Sequence, residues 1–105
     1  MTARRARFHV GQIVAHRRAG YRGVVYDVDP IFSLDDEWYD EMARSRPPKD
    51  KPWYSVLVDG GEHTTYVAER NLERSDDETD IHHPLVEDLF AELRDGAYVS
   101  RDRHN

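Results

Sequence analysis

Two aspartates separated by one residue are the acid pair whose spacing most resembles that of a metal-binding site. Asp27 and Asp29 lie in a stretch rich in β-branched residues, and alternate residues of a strand project from the same face of a sheet. Two carboxylates on one face are typical of metal-binding acid pairs. Pro30 follows directly, however, and Asp-Pro is a common way for a strand to end. We therefore favour a strand terminus without bound metal.

The histidines offer a second possible chemistry, which is metal binding or proton transfer. His82 and His83 adjoin an acidic segment, but no third ligand follows at the spacing that zinc sites require. His16 shares its parity in a predicted strand with Val14, which favours a partly buried histidine bonded to backbone over a catalytic base. We expect structural roles for all three histidines.

Other motifs for catalysis are missing from the sequence. The chain has no cysteine, which excludes thiol catalysis, disulfides and cysteine-ligated zinc. It contains no phosphate-binding loop, no dinucleotide fingerprint and no serine in a nucleophile context. The sequence therefore predicts a protein that is not an enzyme and that has no cofactor, no metal and no catalytic residue.

Basic residues are concentrated at the start of the chain. Residues 1–22 hold six arginines and no acid, in a protein with 15 basic and 21 acidic side chains and a net charge of −6. Arginines beside aromatic side chains bind phosphates and stack on bases, although an acidic body makes such binding sensitive to salt. A contact with a partner protein and a solubilising arm are the alternatives. The candidate nucleic-acid or partner-binding residues are Arg4, Arg5, Arg7, Arg17, Arg18, Tyr21 and Arg22.

Two antiparallel hairpins are predicted to position these groups. Apolar and polar residues alternate over residues 12–17, and a second strand returns over 22–28 after a glycine-bearing turn. Another hairpin joins 53–58 to 64–68 through Asp59-Gly60-Gly61, a sequence that tolerates positive φ. We expect the two hairpins, with a tight turn after the second, to form a small antiparallel barrel that is mainly β.

Between the hairpins the hydrophobic period changes from two residues to four. Leu34, Trp38 and Met42 recur at every fourth position after an acidic turn that suits the positive end of a helix. This pattern predicts a short inserted helix near residues 33–44, which the following prolines end. Lys49 and Lys51, the only lysines, lie in the proline-rich loop after it. They are candidates for modification, and ordinary solvated lysines are the alternative.

The last part of the chain is predicted to lie outside the barrel, which takes residues 1–74. Residues 75–83 are acidic with little to bury, and we expect a solvated linker. An apolar stripe between a proline and a glycine predicts a C-terminal amphipathic helix over 84–95, followed by a polar tail over 96–105. The residues of the stripe that we expect to contact a partner or another subunit are Leu85, Leu89, Phe90 and Leu93.

Composition supports a single domain. The 105 residues with 38% hydrophobic content are enough for one core. No apolar run approaches the roughly 20 residues that cross a bilayer. Polar residues also interrupt the arginine-rich start before a targeting sequence can form. We therefore expect a cytoplasmic protein without a membrane partner.

The motifs of the two hairpins, taken in order, also match a known family. GQIVAHR, GYRGVVYDVDPIF, PWYSVLV and TYVAERNL resemble the YccV-like, or hemimethylated-DNA-binding, family of HspQ-type bacterial heat-shock proteins over roughly residues 8–72. The combination of GYRGVV, DVDP, PWY and TYVAE makes the resemblance specific. It implies an SH3-like antiparallel barrel, partly open and often trimeric, without catalytic residues. In the variable C-terminal region it supports only a helix.

The resemblance implies two roles, and we consider three hypotheses. The first is a heat-shock accessory protein that promotes degradation of selected or denatured proteins by an ATP-dependent protease of the Lon type. An acidic body and an exposed apolar helix suit protein contacts better than a duplex. The second is binding of hemimethylated double-stranded DNA near the replication origin. The third is an oligomeric scaffold, for which a homotrimer is favoured.

Overall fold

An antiparallel sheet of five strands forms the body of the protein in the computed structural model, which describes residues 5–101. The elements are β1 (Ile13–His16), β2 (Arg22–Asp29), α1 (Asp36–Met42), β3 (Trp53–Val58), β4 (Thr64–Ala68), β5 (Leu72–Arg74), α2 (Val86–Leu89), β6 (Phe90–Arg94) and β7 (Ala97–Ser100). The large sheet has the order β4-β3-β2-β1-β5, and β6 pairs with β7 in a separate hairpin. The edge strands β4 and β5 do not pair with each other, so the barrel is partly open. The predicted mainly β fold is confirmed. Neither helix within residues 5–101 is long and apolar enough to cross a membrane.

A β-bulge at Tyr26 changes which of the following residues of β2 face the inner core. Val25 and Asp27 pair with consecutive residues of β3, which leaves Tyr26 as the extra residue. Val25 and Val28 consequently both pack on the inner core, although they are three residues apart. The bulge also turns Asp27 and Asp29 to the outer face of the sheet, where they line a cleft.

Apolar residues cover both faces of the sheet. The predicted tight turn after the second hairpin is a 3-10 turn (Glu69–Asn71), and it folds the fully buried Leu72 back into the barrel. The inner core consists of Phe8, Val14, Val25, Tyr54, Val56, Val67 and Leu72. The outer core, which the β6–β7 hairpin covers, consists of Ile13, Val24, Leu57, Ile81, Phe90 and Tyr98. Since burying one large apolar side chain contributes about 1.5–3 kcal/mol, two layers give this small chain a sufficient core.

Helix α1 lies inside the predicted range of 33–44, but it buries a different residue. The Asp35 side chain caps the helix, since its Oδ1 accepts a hydrogen bond from the Trp38 N–H at 2.8 Å. Tyr39 is the buried residue of the helix, with 5% of it exposed. Met42, which the four-residue period placed on the apolar side, is 64% exposed. The short helix therefore packs through its aromatic residues.

The C-terminal segment forms a hairpin, and the helix predicted over 84–95 is wrong after its first turn. Helix α2 ends at Leu89, Phe90 begins a strand, and the predicted polar tail contains β7. The cause is Asp95-Gly96, where both residues have positive φ, 52° and 81°. Such a pair forms a two-residue hairpin turn, for which Asp-Gly is a favoured sequence. This turn, with Phe90 and Tyr98 buried on the sheet, outweighs the helical spacing.

The acidic segment over 75–83 packs against the sheet, in contrast to the solvated linker that its composition predicts. Ser75, Ile81 and His83 are buried, with at most 8% of each residue exposed. Several backbone carbonyls of the segment accept hydrogen bonds from Arg22 at the start of β2. These bonds order a polar stretch that has few apolar contacts of its own.

Candidate nucleic-acid interface

Arg22 bonds to the protein itself. Its side chain is 17% exposed, and the guanidinium donates to the carbonyls of Asp77, Thr79 and Asp80 at 2.9–3.1 Å. It also pairs with Asp59, with Nη2 3.1 Å from Oδ2. Burial alone raises the pKa of Asp59, but a backbone N–H bond and the guanidinium more than offset this and lower it. The structure thus gives Arg22 an intramolecular role.

The other predicted arginines differ in what surrounds them. Arg4 lies outside the described residues, and Arg5 is exposed. Arg17 connects β1 to β5, because its Nε donates to the carbonyl of Leu72 at 3.2 Å and its Nη1 lies 3.7 Å from a carboxylate oxygen of Glu73. Arg17 is therefore partly neutralised. Arg7 and Arg18 are the predicted arginines that share a site with other cations for which the described part of the chain supplies no ion pair.

Five basic side chains line two sites, and residues at the 3-10 turn before β5 belong to the lining of both sites. Three of them line a cavity of about 270 Å³, and two line a larger cleft. Arg70 joins the two sites, because its Nη2 donates to the carbonyl of Ser45 in the cleft at 2.7 Å. None of the five forms an ion pair with a residue in the range 5–101. This cationic patch consists of Arg7, Lys51 and Arg70 in the cavity and Arg18 and Arg44 in the cleft.

One carboxylate, that of Glu69, lies within the cationic patch, where it accepts hydrogen bonds from groups of the barrel. Oε2 of Glu69 accepts hydrogen bonds from the Arg7 N–H at 2.9 Å and from the Tyr54 hydroxyl at 2.6 Å. Burial, and then the bond to Glu69, raises the pKa of Tyr54, so this hydroxyl stays protonated and donates at neutral pH. Glu69 therefore reduces the positive charge of the patch without forming an ion pair there.

Arg7 and Arg18 are the members of the cationic patch that the sequence predicts as binding residues. No sequence pattern predicts this role for Arg44 or Arg70, and Lys51 is predicted only as a modification site. The predicted turn over 69–72 is the one signal that places Arg70 near the barrel opening. The approach of the loop before β3 to this turn is a long-range contact, which no local pattern encodes.

The turn between β1 and β2 holds Tyr21 and Arg18 next to the cleft. The Tyr21 hydroxyl and Thr65 Oγ1 are 2.7 Å apart, and the Tyr21 ring lies 5.2 Å from the ring of His16. Nδ1 of His16 accepts hydrogen bonds from the N–H groups of Arg18 and Ala19 at 3.1 and 3.0 Å. Burial, and then the charge of Arg18, lowers the pKa of His16 and favours the neutral ring that accepts these bonds.

The cleft, of about 800 Å³, extends along β4 as far as α1. Trp38, Trp53 and Tyr66 form an aromatic wall, in which the last two rings stack at 5.3 Å. Asp27 and Asp29 line the cleft, and the Tyr66 hydroxyl donates to Asp29 Oδ2 at 2.7 Å. Burial, and then this bond, raises the pKa of Tyr66 to about 12. Within residues 5–101 no three potential metal ligands converge.

Lys49, the other candidate for modification, contacts helix α1. Its ammonium lies 2.9 Å from Asp36 Oδ1 and 4.3 Å from the centre of the Tyr39 ring. The hydrogen bond and the charge of Lys49 lower the pKa of Asp36. Of the two lysines, only Lys51 belongs to the cationic patch.

The four predicted partner-contact residues are not on one free face. Phe90 is buried, and Leu93 packs against the outer core. Leu85 and Leu89 remain 40% and 38% exposed at the two ends of the helical turn. An apolar contact surface on this segment is therefore smaller than the predicted helix implies, and it contains only these two leucines.

Comparison with known protein families agrees with the motifs of the two hairpins. The family model described as "Hemimethylated DNA-binding protein YccV like" matches residues 6–97, which is most of the chain and includes the C-terminal hairpin as far as the first residue of β7. The description of this family names hemimethylated DNA as the ligand. The chain belongs to the YccV-like family of hemimethylated DNA-binding proteins.

Proposed function

We propose that this protein binds double-stranded DNA through the cationic patch. The observation that carries the proposal is that five basic side chains, which form no ion pair with any residue in the range 5–101, line two adjoining sites on a protein whose net charge is −6. Arginine and lysine bind phosphate oxygens, and arginine does so through paired N–H groups. Phosphate contacts position a protein on a duplex, while contacts with bases or methyl groups give specificity. Membership of a DNA-binding family supports the same ligand.

A salt titration tests this proposal on hemimethylated, fully methylated and unmodified duplexes of one sequence. If all five cations contact phosphates, the logarithm of affinity falls with the logarithm of salt concentration with a slope of about −4.5. We expect the hemimethylated duplex to bind most tightly at every salt concentration. Equal, weak affinities that vanish at physiological salt would instead indicate counterion release without recognition.

Alanine variants locate the interface. The triple substitution Arg18→Ala, Lys51→Ala, Arg70→Ala is expected to reduce the slope by about 3, since each lost phosphate contact removes about 0.9. The matched control is Arg74→Ala with Arg94→Ala, because these arginines pair with Glu78 and Glu92 outside the patch. An unchanged slope in the triple variant would place the DNA elsewhere.

A second candidate is the heat-shock accessory role in degradation by a Lon-type protease in the cytoplasm. The observation that favours it is an exposed apolar pair, Leu85 at the N-cap of α2 and Leu89 at the end of α2. Exposed apolar side chains are common anchors of protein contacts. We expect the purified protein to associate with the protease and to accelerate its turnover of a denatured model substrate. The double variant Leu85→Glu, Leu89→Glu should lose this effect, while the cationic-patch variant keeps it. Absence of both association and acceleration would refute the role.

A further inference from the structure

Strand β4 is an edge of the sheet whose outer side has unpaired backbone groups. The His63 carbonyl accepts a hydrogen bond from β3 at 3.0 Å, and the Glu69 N–H donates to the residue before β3 at 3.1 Å. Hydrogen-bonded and non-hydrogen-bonded residue pairs alternate along an antiparallel ladder, so these two bonds show which residues of β4 bond to β3. The N–H and C=O groups of Thr64 and Tyr66 therefore point away from β3. Within residues 5–101 no hydrogen bond to these groups is present.

The sequence of β4 does nothing to protect this edge. Proteins commonly block an exposed strand with a charge, a proline, a bulge or a covering segment. The strand reads TTYVA, and its pairing with β3 has no irregularity. The space beside it is the cleft of about 800 Å³, which all five residues of β4 line. The edge thus has both the unpaired groups and the room that an additional strand requires.

The walls of the cleft indicate what side chain that strand carries. Asp27, Ser55 and Tyr66 form one row across the sheet, because the first pairs with the second and the second with the third. An added strand extends this row, and its residue opposite Tyr66 faces the aromatic wall and the carboxylates of Asp27 and Asp29. Carboxylates beside aromatic rings favour a cation.

Apolar side chains flank the same end of the cleft. Leu34 and Met42, on either side of the capped turn of α1, are 45% and 64% exposed and line the cleft. Side chains of an extended strand alternate between its two faces. An apolar residue of the added strand two positions from the cation therefore lies on the same face and reaches Leu34 and Met42. The cations Arg18 and Arg44 line the same cleft, and the two carboxylates are the groups beside the aromatic wall that an added cation can pair with.

We propose that β4 binds an extended segment of another polypeptide by strand addition, and that this segment directs a lysine or arginine toward Asp27 and Asp29. A duplex fits this part of the cleft poorly, because phosphates would meet two carboxylates. The proposal goes beyond DNA binding and does not depend on it, since the residues that it uses lie outside the cationic patch.

Synthetic peptides test the proposal directly. The probe is an eight-residue peptide of alternating threonine and valine with one central lysine, and binding is measured by fluorescence anisotropy. Two comparison peptides carry glutamate in place of lysine or N-methylated backbone amides. We expect both to bind at least tenfold more weakly, because one loses the charge and the other the strand hydrogen bonds. Equal binding of all three, or no binding of the first, would overturn the proposal.

Protein variants separate the backbone contact from the charge contact. Thr64→Pro removes an N–H that faces away from β3, and an edge position tolerates proline, so we expect an unchanged fold and at least tenfold weaker binding. Asp27→Asn with Asp29→Asn keeps the hydrogen-bond acceptors and removes the charges, and should weaken only the lysine peptide, about tenfold. The double aspartate variant still tests the proposal if Thr64→Pro misfolds.

Other occupants of the edge give distinct results. A mass that falls in Thr64→Pro by light scattering, with no peptide bound by the wild type, would assign the edge to a second copy of the chain. Displacement of the peptide by duplex DNA, with tighter DNA binding in the Asp27→Asn, Asp29→Asn variant, would assign the cleft to nucleic acid. Either result overturns the proposal, and neither decides whether the cationic patch binds phosphates.

Discussion

Arg22 connects the sheet to the acidic segment over 75–83, so its removal tests how that segment is ordered. Arg22→Ala leaves several carbonyls and the Asp59 carboxylate without their partner. We expect a loss of about 2–3 kcal/mol in the free energy of unfolding, measured with urea. Arg22→Lys keeps the charge without the planar fork and should recover less than half of the loss. A loss below about 0.5 kcal/mol would contradict this structural role.

His16 makes the first turn of the sheet sensitive to pH. Its pKa in the folded protein lies below 6.5, so its contribution to stability is complete above pH 6.5 and is lost as the pH falls through the folded value. Protonation removes the acceptor for the N–H groups of Arg18 and Ala19. His16→Asn supplies an acceptor that does not titrate. We expect the free energy of unfolding of the wild type to fall more steeply below pH 6.5 than that of the variant, and parallel curves would refute this.

At the scale of elements, a close backbone approach attaches the C-terminal hairpin to the sheet. Gly11 has a φ of 94°, and a Cβ there would lie 2.1 Å from the carbonyl oxygen of Tyr98, whose N–H donates to Gly11 at 2.7 Å. Gly11→Ala should therefore displace β6–β7 and destabilise the protein by at least about 2 kcal/mol.

Gly20→Ala is the matched control, because Gly20 has a similar φ of 81° with nothing near its Cβ. It should cost only about 1–2 kcal/mol, the ordinary penalty of that backbone conformation. Proteolysis of the β6–β7 hairpin should increase in Gly11→Ala alone. Equal proteolysis of the two variants would show that the approach to Tyr98 is not what attaches the hairpin.

The elements that sequence patterns predicted are those with local signals. The first two hairpins have alternating residues and glycine turns within each, and the inserted helix has its own cap and prolines. The C-terminal segment carried two conflicting local signals, a helical stripe and Asp95-Gly96, and tertiary burial of Phe90 decided between them. The cationic patch depends on contacts between distant loops, so sequence patterns identified only Arg7 and Arg18.

At the scale of the whole molecule, the cationic patch lies on a protein with six more acidic than basic groups. If the patch binds DNA as proposed, the net negative charge of the protein opposes the approach of a polyanion and the patch attracts it. Both effects weaken with salt, since charges separated by more than about 10 Å are largely screened at 0.1 M.

Assembly is the other property of the whole molecule that a measurement can address. The proposed homotrimer requires apolar surface, and Leu85 and Leu89, at the N-cap and the end of α2, provide an exposed apolar pair. We expect Leu85→Glu with Leu89→Glu to reduce the mass measured by light scattering to that of one chain. Replacing the buried Phe90 instead would damage the outer core and is not informative. An unchanged mass in the double variant would exclude assembly through α2.

The bulge at Tyr26 has a consequence for how this sequence tolerates change. Because Tyr26 is the extra residue of the bulge, a chain without it would pair Asp27, Val28 and Asp29 with the same residues of β3 in a regular ladder. Val28 would stay in the core, and the carboxylates of Asp27 and Asp29 would stay on the outer face. Deletion of this single codon would thus remove the local bend of the strand without exchanging its faces. A gap at this position in an alignment of relatives would therefore be compatible with the same sheet.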